Sequence, residues 1–196
     1  MKKNTVILLV ISGVIIIAAS WIISSHNGLV NKDQNVKKEW SNVQSQYQRR
    51  ADLIPNLVAT VKGYATHEKE TLEGVVAARA KATQITVDPK NLSPEKIQQY
   101  QAAQGELGSA LGKLIMLKES YPDLKANQNF KDLQVELAGT ENRINTARVS
   151  FTNTVNEYNN SVLYFPSSVI AKLFGFKEKN YFEAEKGAEK VPEVKF

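Results

Sequence analysis

The sequence contains no cysteine. It therefore has no disulfide framework, no thiolate metal site, no catalytic cysteine and no lipid attached through a cysteine thiol. Histidine occurs only twice, which argues against a histidine-rich metal or acid–base centre. Ten glycines and six prolines are few for an all-β chain with many turns, so composition favours a helical protein.

A strong excess of one charge is also missing. Twenty-five basic residues stand against twenty acidic ones, giving a formal net charge of +5. The two signs are interleaved, which argues against nucleic-acid binding. Hydrophobic residues make up 42% of the 196 residues, which excludes wholesale disorder. The sequence offers no complete catalytic set, and we expect no enzyme activity, no cofactor and no bound metal.

A long apolar run is present near the N-terminus. Val6 to Ile23 carries no charge and spans ~27 Å as a helix, close to the thickness of a bilayer core. Trp21 lies at the edge of this run, where aromatic rings favour the membrane interface. A cleaved secretory signal is the alternative, but cleavage after Ser20 would leave Trp21 and two isoleucines at the new terminus. We therefore predict an uncleaved transmembrane anchor.

Basic residues predict the orientation of this anchor. Lys2 and Lys3 precede the apolar run, whereas the lysines that follow it begin only at Lys32 and are partly offset by acidic residues. The positive-inside rule therefore favours a cytoplasmic N-terminus in a bacterial cell membrane, with the bulk of the chain on the other side.

The next segment has helical periodicity. From Val36 to Arg79 apolar residues recur every three or four positions, apart from one gap across Glu68. Pro55 lies inside this run, and the periodicity continues across it, so we predict a kink there and not a hairpin. A single first helix continuing to residue 83 would reach ~90 Å beyond the membrane.

Two further long helices and a short one follow. A loop at 84–93 precedes a helix capped by Ser93, and Asn127 caps a third helix that ends before Pro166. A short helix capped by Ser167 or Ser168 then ends at Gly175. The predicted fold is all-α: a transmembrane helix followed by an elongated antiparallel bundle of three long helices and a short C-terminal helix. A four-helix bundle is the alternative.

This organisation predicts three parts of the chain. Residues 1–28 form the anchor, residues 29–182 the helical bundle, and residues 183–196 a charged flexible tail.

Residues 36–82 also resemble a known family. Residues 48–58 read Gln-Arg-Arg-Ala-Asp-Leu-Ile-Pro-Asn-Leu-Val, and residues 61–72 read Val-Lys-Gly-Tyr-Ala-Thr-His-Glu-Lys-Glu-Thr-Leu. With Tyr158-Asn159 and the later Phe165-Pro166-Ser167-Ser168, these strings strongly resemble the LemA family of bacterial membrane proteins. The resemblance implies one N-terminal membrane segment and a helical bundle, and it brings no established catalytic residues. It points to envelope metalloproteases or membrane-organelle biogenesis as the context in which to seek partners.

Two features form a candidate partner surface. The first is a polar block beside Pro55, formed by Arg49, Arg50, Asp52 and Asn56. The second is a glycine face on the second long helix, where glycines recur at i, i+3 and i+7: Gly105, Gly108 and Gly112. The polar block is interpreted as an interior polar layer that fixes helix register, with a pocket for an anionic or peptide partner as the alternative. The glycines predict close approach of a neighbouring helix, because each one costs ~1 kcal/mol against alanine in a helix. The approaching helix is expected inside the bundle, with a helix of a partner molecule as the alternative.

The sequence from 164 to 182 is rich in aromatic residues. The candidate segment comprises Phe165, Phe174, Phe176, Tyr181 and Phe182. It is interpreted as a plug over the end of the bundle core, and the alternative is an interfacial segment on an anionic membrane. With a first helix that is continuous to residue 83 the segment would lie far from its own membrane, whereas a hairpin at Pro55 would return it to the bilayer.

These features predict a non-enzymatic, membrane-anchored scaffold or adaptor of the bacterial envelope. It would present helical surfaces to protein partners such as an envelope metalloprotease. The alternative is a protein that remodels membranes or builds a membrane organelle by self-assembly into homo-oligomers.

Overall fold

The protein is helical throughout the part that the computed structural model describes, residues 3–89 and 92–182. Its helices are α1 (Lys3–Lys62), α2 (Lys69–Gln84), α3 (Pro94–Met116), α4 (Pro122–Ala126), α5 (Gln128–Leu163) and α6 (Ser167–Phe174). No strand occurs in these ranges, so the all-α prediction is confirmed. The tail predicted at 183–196 lies outside the described residues, and the three-part division of the chain stays a prediction.

The N-terminal part of α1 is apolar and fully exposed. An 18-residue window of this helix has a mean hydropathy of 2.9 and no buried residue, so it is long and apolar enough to cross a membrane. Burial starts at Leu29, only 2% of whose surface is exposed. The bundle therefore begins a few residues after the apolar run ends.

The chain reverses direction after Lys62, earlier than predicted. α1 continues through Pro55, so no hairpin forms there, and the predicted kink stays a prediction. A turn at 63–68 then leads into α2, so the expected continuous first helix to residue 83 is wrong. The amide of Gly63 bonds the carbonyl of Thr60, and His67, expected on a solvated helix face, lies exposed in this turn.

A side chain from α2 replaces the helix hydrogen bond that Pro55 removes. Proline has no N–H, so the carbonyl four residues earlier, that of Ala51, loses its usual donor. Arg79 Nε of α2 donates to this carbonyl oxygen at 2.8 Å. The proline therefore helps to fix α2 against α1 in an antiparallel arrangement.

This contact predicts a non-additive pair of substitutions. Arg79→Ala should lower the free energy of unfolding by about 1–2 kcal/mol, because the Ala51 carbonyl loses its donor. In a Pro55→Ala background the new N–H of Ala at position 55 donates to that carbonyl. The loss of unfolding free energy caused by Arg79→Ala should then fall by about half or more. Denaturation of the four proteins of this cycle measures the difference. An equal cost in both backgrounds would contradict the assigned role of Arg79.

The remaining helices complete an up-and-down arrangement of four. α3 returns alongside α1, since Gln104 reaches Arg50 and Tyr100 lies against Trp40. α5 runs antiparallel to α1 over most of its length, from Asn127 beside Tyr64 to Ser161 beside Lys32. The four-helix alternative therefore describes the bundle better than three long helices.

The buried apolar side chains form two clusters along the bundle axis. One surrounds Trp40, Phe151 and Tyr158 at the anchor end, and the other surrounds Ile54, Leu107 and Phe130 at the far end. Arg50 lies between them along α1. A polar layer therefore separates two hydrophobic cores.

The last described residues are fastened to the anchor end of the bundle. Asn159 donates from Nδ2 to the Lys179 carbonyl at 2.8 Å and accepts from the Lys179 amide at 2.8 Å. Tyr158 donates its hydroxyl to the Lys177 carbonyl, and Asp33 pairs with the Lys179 ammonium at 2.8 Å. Residues 177–182, the C-terminal strap, are thus held by α1 and α5 together.

Acid should loosen the strap. Burial alone raises the pKa of Asp33, but hydrogen bonds from Lys179 and Lys37 and their positive charges outweigh it and lower that pKa below its usual 3.8. A carboxyl whose pKa is lowered in the folded state stabilises the fold at pH values above its ordinary, unfolded-state pKa. This stabilisation is lost as the pH falls through the lowered pKa.

Pepsin cleavage beside Tyr181 and Phe182 measures this effect. We expect the wild-type strap to be cut more slowly than that of Asp33→Asn at about pH 5, with the two rates converging towards about pH 2. A constant ratio across this range would contradict the role of Asp33.

Candidate functional site

Arg50 is the buried charge of the bundle interior. It shares the inward face of α1 with Tyr47 and Ile54, three residues before it and four residues after it, and only 4% of it is exposed. Its guanidinium donates from Nη1 to Glu141 Oε1 at 2.8 Å and from Nη2 to Gln104 Oε1 at 2.7 Å. Nη2 also donates to the Gln104 backbone carbonyl at 3.0 Å. The arginine therefore joins α1, α3 and α5.

The acceptors do not saturate this guanidinium. Arg50 Nε is buried and has no hydrogen-bond partner among the described residues. The group also lies 5.1 Å from the centre of the Tyr47 ring, a cation–π arrangement. Glu141 is 41% exposed at its side chain, so its carboxylate lies at the edge of the interior. The ion pair of Arg50 and Glu141 therefore borders an open space beside the bundle interior.

That space is a groove between α3 and α5. α3 packs mainly on α2, and α5 mainly on α1, which leaves the two helices apart. Two adjoining cavities of about 480 and 790 Å³ occupy the gap and share Arg50, Gly108 and Glu141 in their walls. We call this gap the α3–α5 groove.

The walls of the groove are predominantly basic. Four basic side chains and one acidic side chain line the two cavities: Arg50, Lys118, Lys131, Arg148 and Glu141. Apolar side chains are present as well, including Leu111, Ile115 and the 73% exposed Val135. The groove therefore offers positive charge together with apolar surface, a combination that suits a carboxylate-bearing segment of another protein.

The three glycines of the candidate surface lie along this groove, but they do not allow a close helix contact. A Cβ placed on Gly105 or Gly112 would meet no atom within 4 Å, and one on Gly108 would meet Arg50 Nη1 at 3.9 Å. The predicted close approach of a neighbouring helix within the bundle is therefore wrong, and approach of a helix from a partner molecule stays a prediction. The glycines instead leave gaps between the side chains of the α3 wall of the groove.

This open space predicts that Gly112→Ala stabilises the protein. The methyl group meets nothing, while alanine favours the helix over glycine by about 1 kcal/mol. The free energy of unfolding should rise by about that amount. Gly74→Ala on α2, where a Cβ likewise meets nothing, is the matched control and should give a similar gain. Destabilisation by Gly112→Ala alone would show that another helix closes the groove.

The other residues of the candidate polar block do not line these cavities. Arg49 points to solvent and pairs with Glu136 at 2.6 Å, and that hydrogen bond and the arginine's charge lower the pKa of Glu136. Asp52 accepts a hydrogen bond from Gln48, and Asn56 is exposed. The carbonyl freed by Pro55 is occupied by Arg79. Only Arg50 of this block reaches the groove.

The aromatic segment divides between two environments. Phe182 stacks on the buried Trp40 with ring centres 5.5 Å apart, and Phe176 packs on the anchor-end core. Tyr181 is 39% exposed and accepts a hydrogen bond from Asn159. Phe165 is 83% exposed and Phe174 is 49% exposed. The plug interpretation therefore describes Phe176 and Phe182 but not Phe165.

Sequence reasoning missed Asn159 and Asp33, the residues that hold the strap. Asn159 is a polar residue, yet only 3% of it is exposed. Its position directly after Tyr158 on the apolar stripe is the signal that could have found it. Among the described residues no group of three metal-binding side chains occurs.

Fold and groove together define a membrane-associated helical bundle with a basic groove. The chain belongs to the LemA family, which it matches over residues 39–196.

Relatives of known name extend this assignment. The chain is 28% identical to magnetosome protein MamQ 2 of Paramagnetospirillum magneticum, over 94% of this chain and 74% of that protein. It is 24% identical to magnetosome protein MamQ of Magnetospirillum gryphiswaldense, over 87% and 69% of the two chains. It is 23% identical to protein LemA of Metamycoplasma hominis, over 81% and 68%.

Proposed function

We propose that this protein is a non-enzymatic, membrane-anchored scaffold of the bacterial envelope. Its α3–α5 groove binds an acidic segment of a partner protein. The observation that carries the proposal is the open groove with a buried arginine at its base and glycines along one wall. The partner class favoured by the family resemblance is an envelope metalloprotease.

Charge complementarity selects the occupant. Glu141 is the acidic residue among the charged side chains that line the cavities, and Arg50 already pairs with it. Lys118 and Lys131 remain to meet carboxylates on the partner, while the guanidinium of Arg148 lies 5.0 Å from the centre of the Phe182 ring. Opposite charges across an interface speed association and reject like-charged competitors.

The anchor and the length of α1 set the height of the groove above the membrane. Arg50 follows the end of the apolar run by 27 residues of continuous helix, or about 40 Å at 1.5 Å per residue. A groove at this height is accessible to the domain of a membrane protein that stands above the same bilayer. The bundle faces the extracytoplasmic side in this proposal, as the basic residues before the anchor favour.

Peptide binding tests the groove directly. The full-length protein in nanodiscs is titrated with a fluorescent glutamate-rich peptide and with its glutamine counterpart. The glutamate peptide should bind about ten-fold more tightly, and added salt should weaken it. Gly112→Leu, which fills the groove, should abolish binding, while Gly74→Leu outside the groove should retain it.

Two results would refute the proposal. One is equal binding of both peptides to the wild-type protein. The other is unchanged binding of the glutamate peptide to a folded Gly112→Leu variant.

Sidedness is tested separately with a single cysteine. The sequence has none of its own, and Ser109 is exposed beside the groove, so Ser109→Cys gives one reactive site. A membrane-impermeant maleimide should label it in intact cells. Labelling only after lysis would place the bundle in the cytoplasm.

A second candidate function is self-assembly in the formation of a membrane organelle. The similarity to magnetosome proteins MamQ favours it. Mass photometry of the full-length protein in detergent separates the two. Large oligomers that persist in Gly112→Leu would favour self-assembly, whereas a monomer at all concentrations would exclude it.

A further inference from the structure

The end of the bundle returns to the membrane side of the molecule. Near the end of α5, Ser161 accepts a hydrogen bond from Lys32. At the end of α6, the Phe174 ring lies 4.6 Å from the His26 ring. The end of α5 and the end of α6 therefore lie beside one short stretch of α1, from His26 to Lys32. This is the first part of α1 after its apolar run.

The end of this stretch nearer the anchor, at His26, lies at the depth of the membrane interface. His26 follows Ile23 by three residues and Lys32 by nine, which corresponds to about 5 Å and about 14 Å along the helix. The headgroup region extends over roughly 5–8 Å beyond each side of the hydrocarbon core. If α1 crosses the bilayer through its apolar run, the end of α6 beside His26 lies at the level of the headgroups.

α6 has apolar side chains on two sides, and only one of these sides packs into the core of the bundle. Ile170 is 2% exposed and Ala171 is fully buried, both in the cluster that contains Leu29. Another set of apolar side chains around α6 is exposed, and we call it the α6 outer face: Leu163 (53%), Tyr164 (65%), Phe165 (83%), Val169 (53%), Leu173 (70%) and Phe174 (49%). A contiguous exposed apolar patch of this kind marks an interaction site.

Lysines flank this patch. Lys172 and Lys177 are exposed, with Glu178 as the exposed acidic neighbour. Aromatic and aliphatic side chains accompanied by lysines are the composition of helices that lie in the plane of an anionic membrane surface. The patch is also continuous with the apolar run of α1 through the His26–Phe174 contact.

We infer that the α6 outer face inserts into the headgroup region of the same bilayer that holds the anchor. The protein then contacts the membrane at two places, α1 and α6, and the second contact fixes the tilt and rotation of the bundle. This inference does not depend on the α3–α5 groove or on its partner.

Fluorescence quenching by lipids tests the contact. Leu173→Cys carries a polarity-sensitive fluorophore in the full-length protein, in nanodiscs of phosphatidylcholine and phosphatidylglycerol with or without a lipid spin-labelled near its headgroup. The control is the same label at Val149→Cys, an exposed valine on α5. Val149 is two residues from Phe151, which contacts Trp40, about 25 Å beyond the apolar run.

The label at 173 should lose about half of its emission to the spin-labelled lipid, and the label at 149 should lose almost none. Equal quenching at both positions, or none at 173, would overturn the inference. A blue-shifted label at 173 without lipid quenching would show that a second copy or another protein covers the patch, and would also overturn it.

Hydrogen exchange on the protein without labels provides the second measurement. In nanodiscs, the amides of α6 should exchange about ten-fold more slowly in the wild-type protein than in Leu173→Asp. The amides of α5 near Phe151 should exchange at the same rate in both proteins. Equal exchange of α6 in the two proteins would contradict a membrane contact even if both are fully folded.

Discussion

Replacing Arg50 by alanine should lower the free energy of unfolding by about 3 kcal/mol. The substitution removes three hydrogen bonds, to Glu141 Oε1, Gln104 Oε1 and the Gln104 carbonyl. It also leaves the buried Gln104 side chain without this donor. Denaturation of the full-length protein in detergent, followed by helical circular dichroism, measures the effect.

Arg49 provides the matched control. It is the adjacent residue and also pairs with a glutamate on α5, but both side chains are substantially exposed, at 50% and 42%. Exposed pairs contribute about 0–1 kcal/mol, so Arg49→Ala should have a small effect. Equal costs at the two positions would mean that the layer around Arg50 is open to water.

Trp40→Ala should be more damaging, with a loss of about 4 kcal/mol. Trp40 is fully buried and its ring contacts those of Tyr100, Phe151 and Phe182. One side chain thus joins α1, α3, α5 and the C-terminal strap. Its removal leaves a large cavity that these four elements cannot all close at once.

Two variants locate the source of that loss. Trp40→Phe keeps most of the ring volume and removes the bond from Nε1 to the Val87 carbonyl, which Gln44 also serves, so it should cost only about 1–2 kcal/mol. Trp21→Ala, in the exposed apolar run, should leave bundle unfolding unchanged. A loss at Trp21 equal to that at Trp40 would show that the measurement reports anchor insertion.

Local signals in the sequence were sufficient for the helix class and for most helix ends. Ser93 accepts a hydrogen bond from the Lys96 amide, Asn127 accepts one from the Phe130 amide, and Gly175 takes a left-handed conformation, all as predicted. The cap of the short helix was placed wrongly, because Pro166 occupies it and the Ser167 hydroxyl bonds the Tyr164 carbonyl. Caps depend on a few adjacent residues, and sequence patterns report such local chemistry well.

The chain reversal at 63–68 was not deduced, although its signals were present. Gly63 and the gap in the apolar pattern across Glu68 mark the turn. Periodicity states which residues face inward, and it is the same for a straight helix and for two helices packed on a shared core. The prediction of a continuous first helix was therefore consistent with the pattern and wrong about the path of the chain.

By itself the sequence determined an apolar run long enough for a membrane and an all-helical bundle. These follow from hydropathy and from the spacing of residues along one helix. Only the tertiary structure decided that α3 and α5 stand apart, that the glycines line a groove, and that α6 returns to the anchor. Each of these depends on contacts between residues far apart in the chain, and packing of whole helices, not local spacing, selects among such contacts.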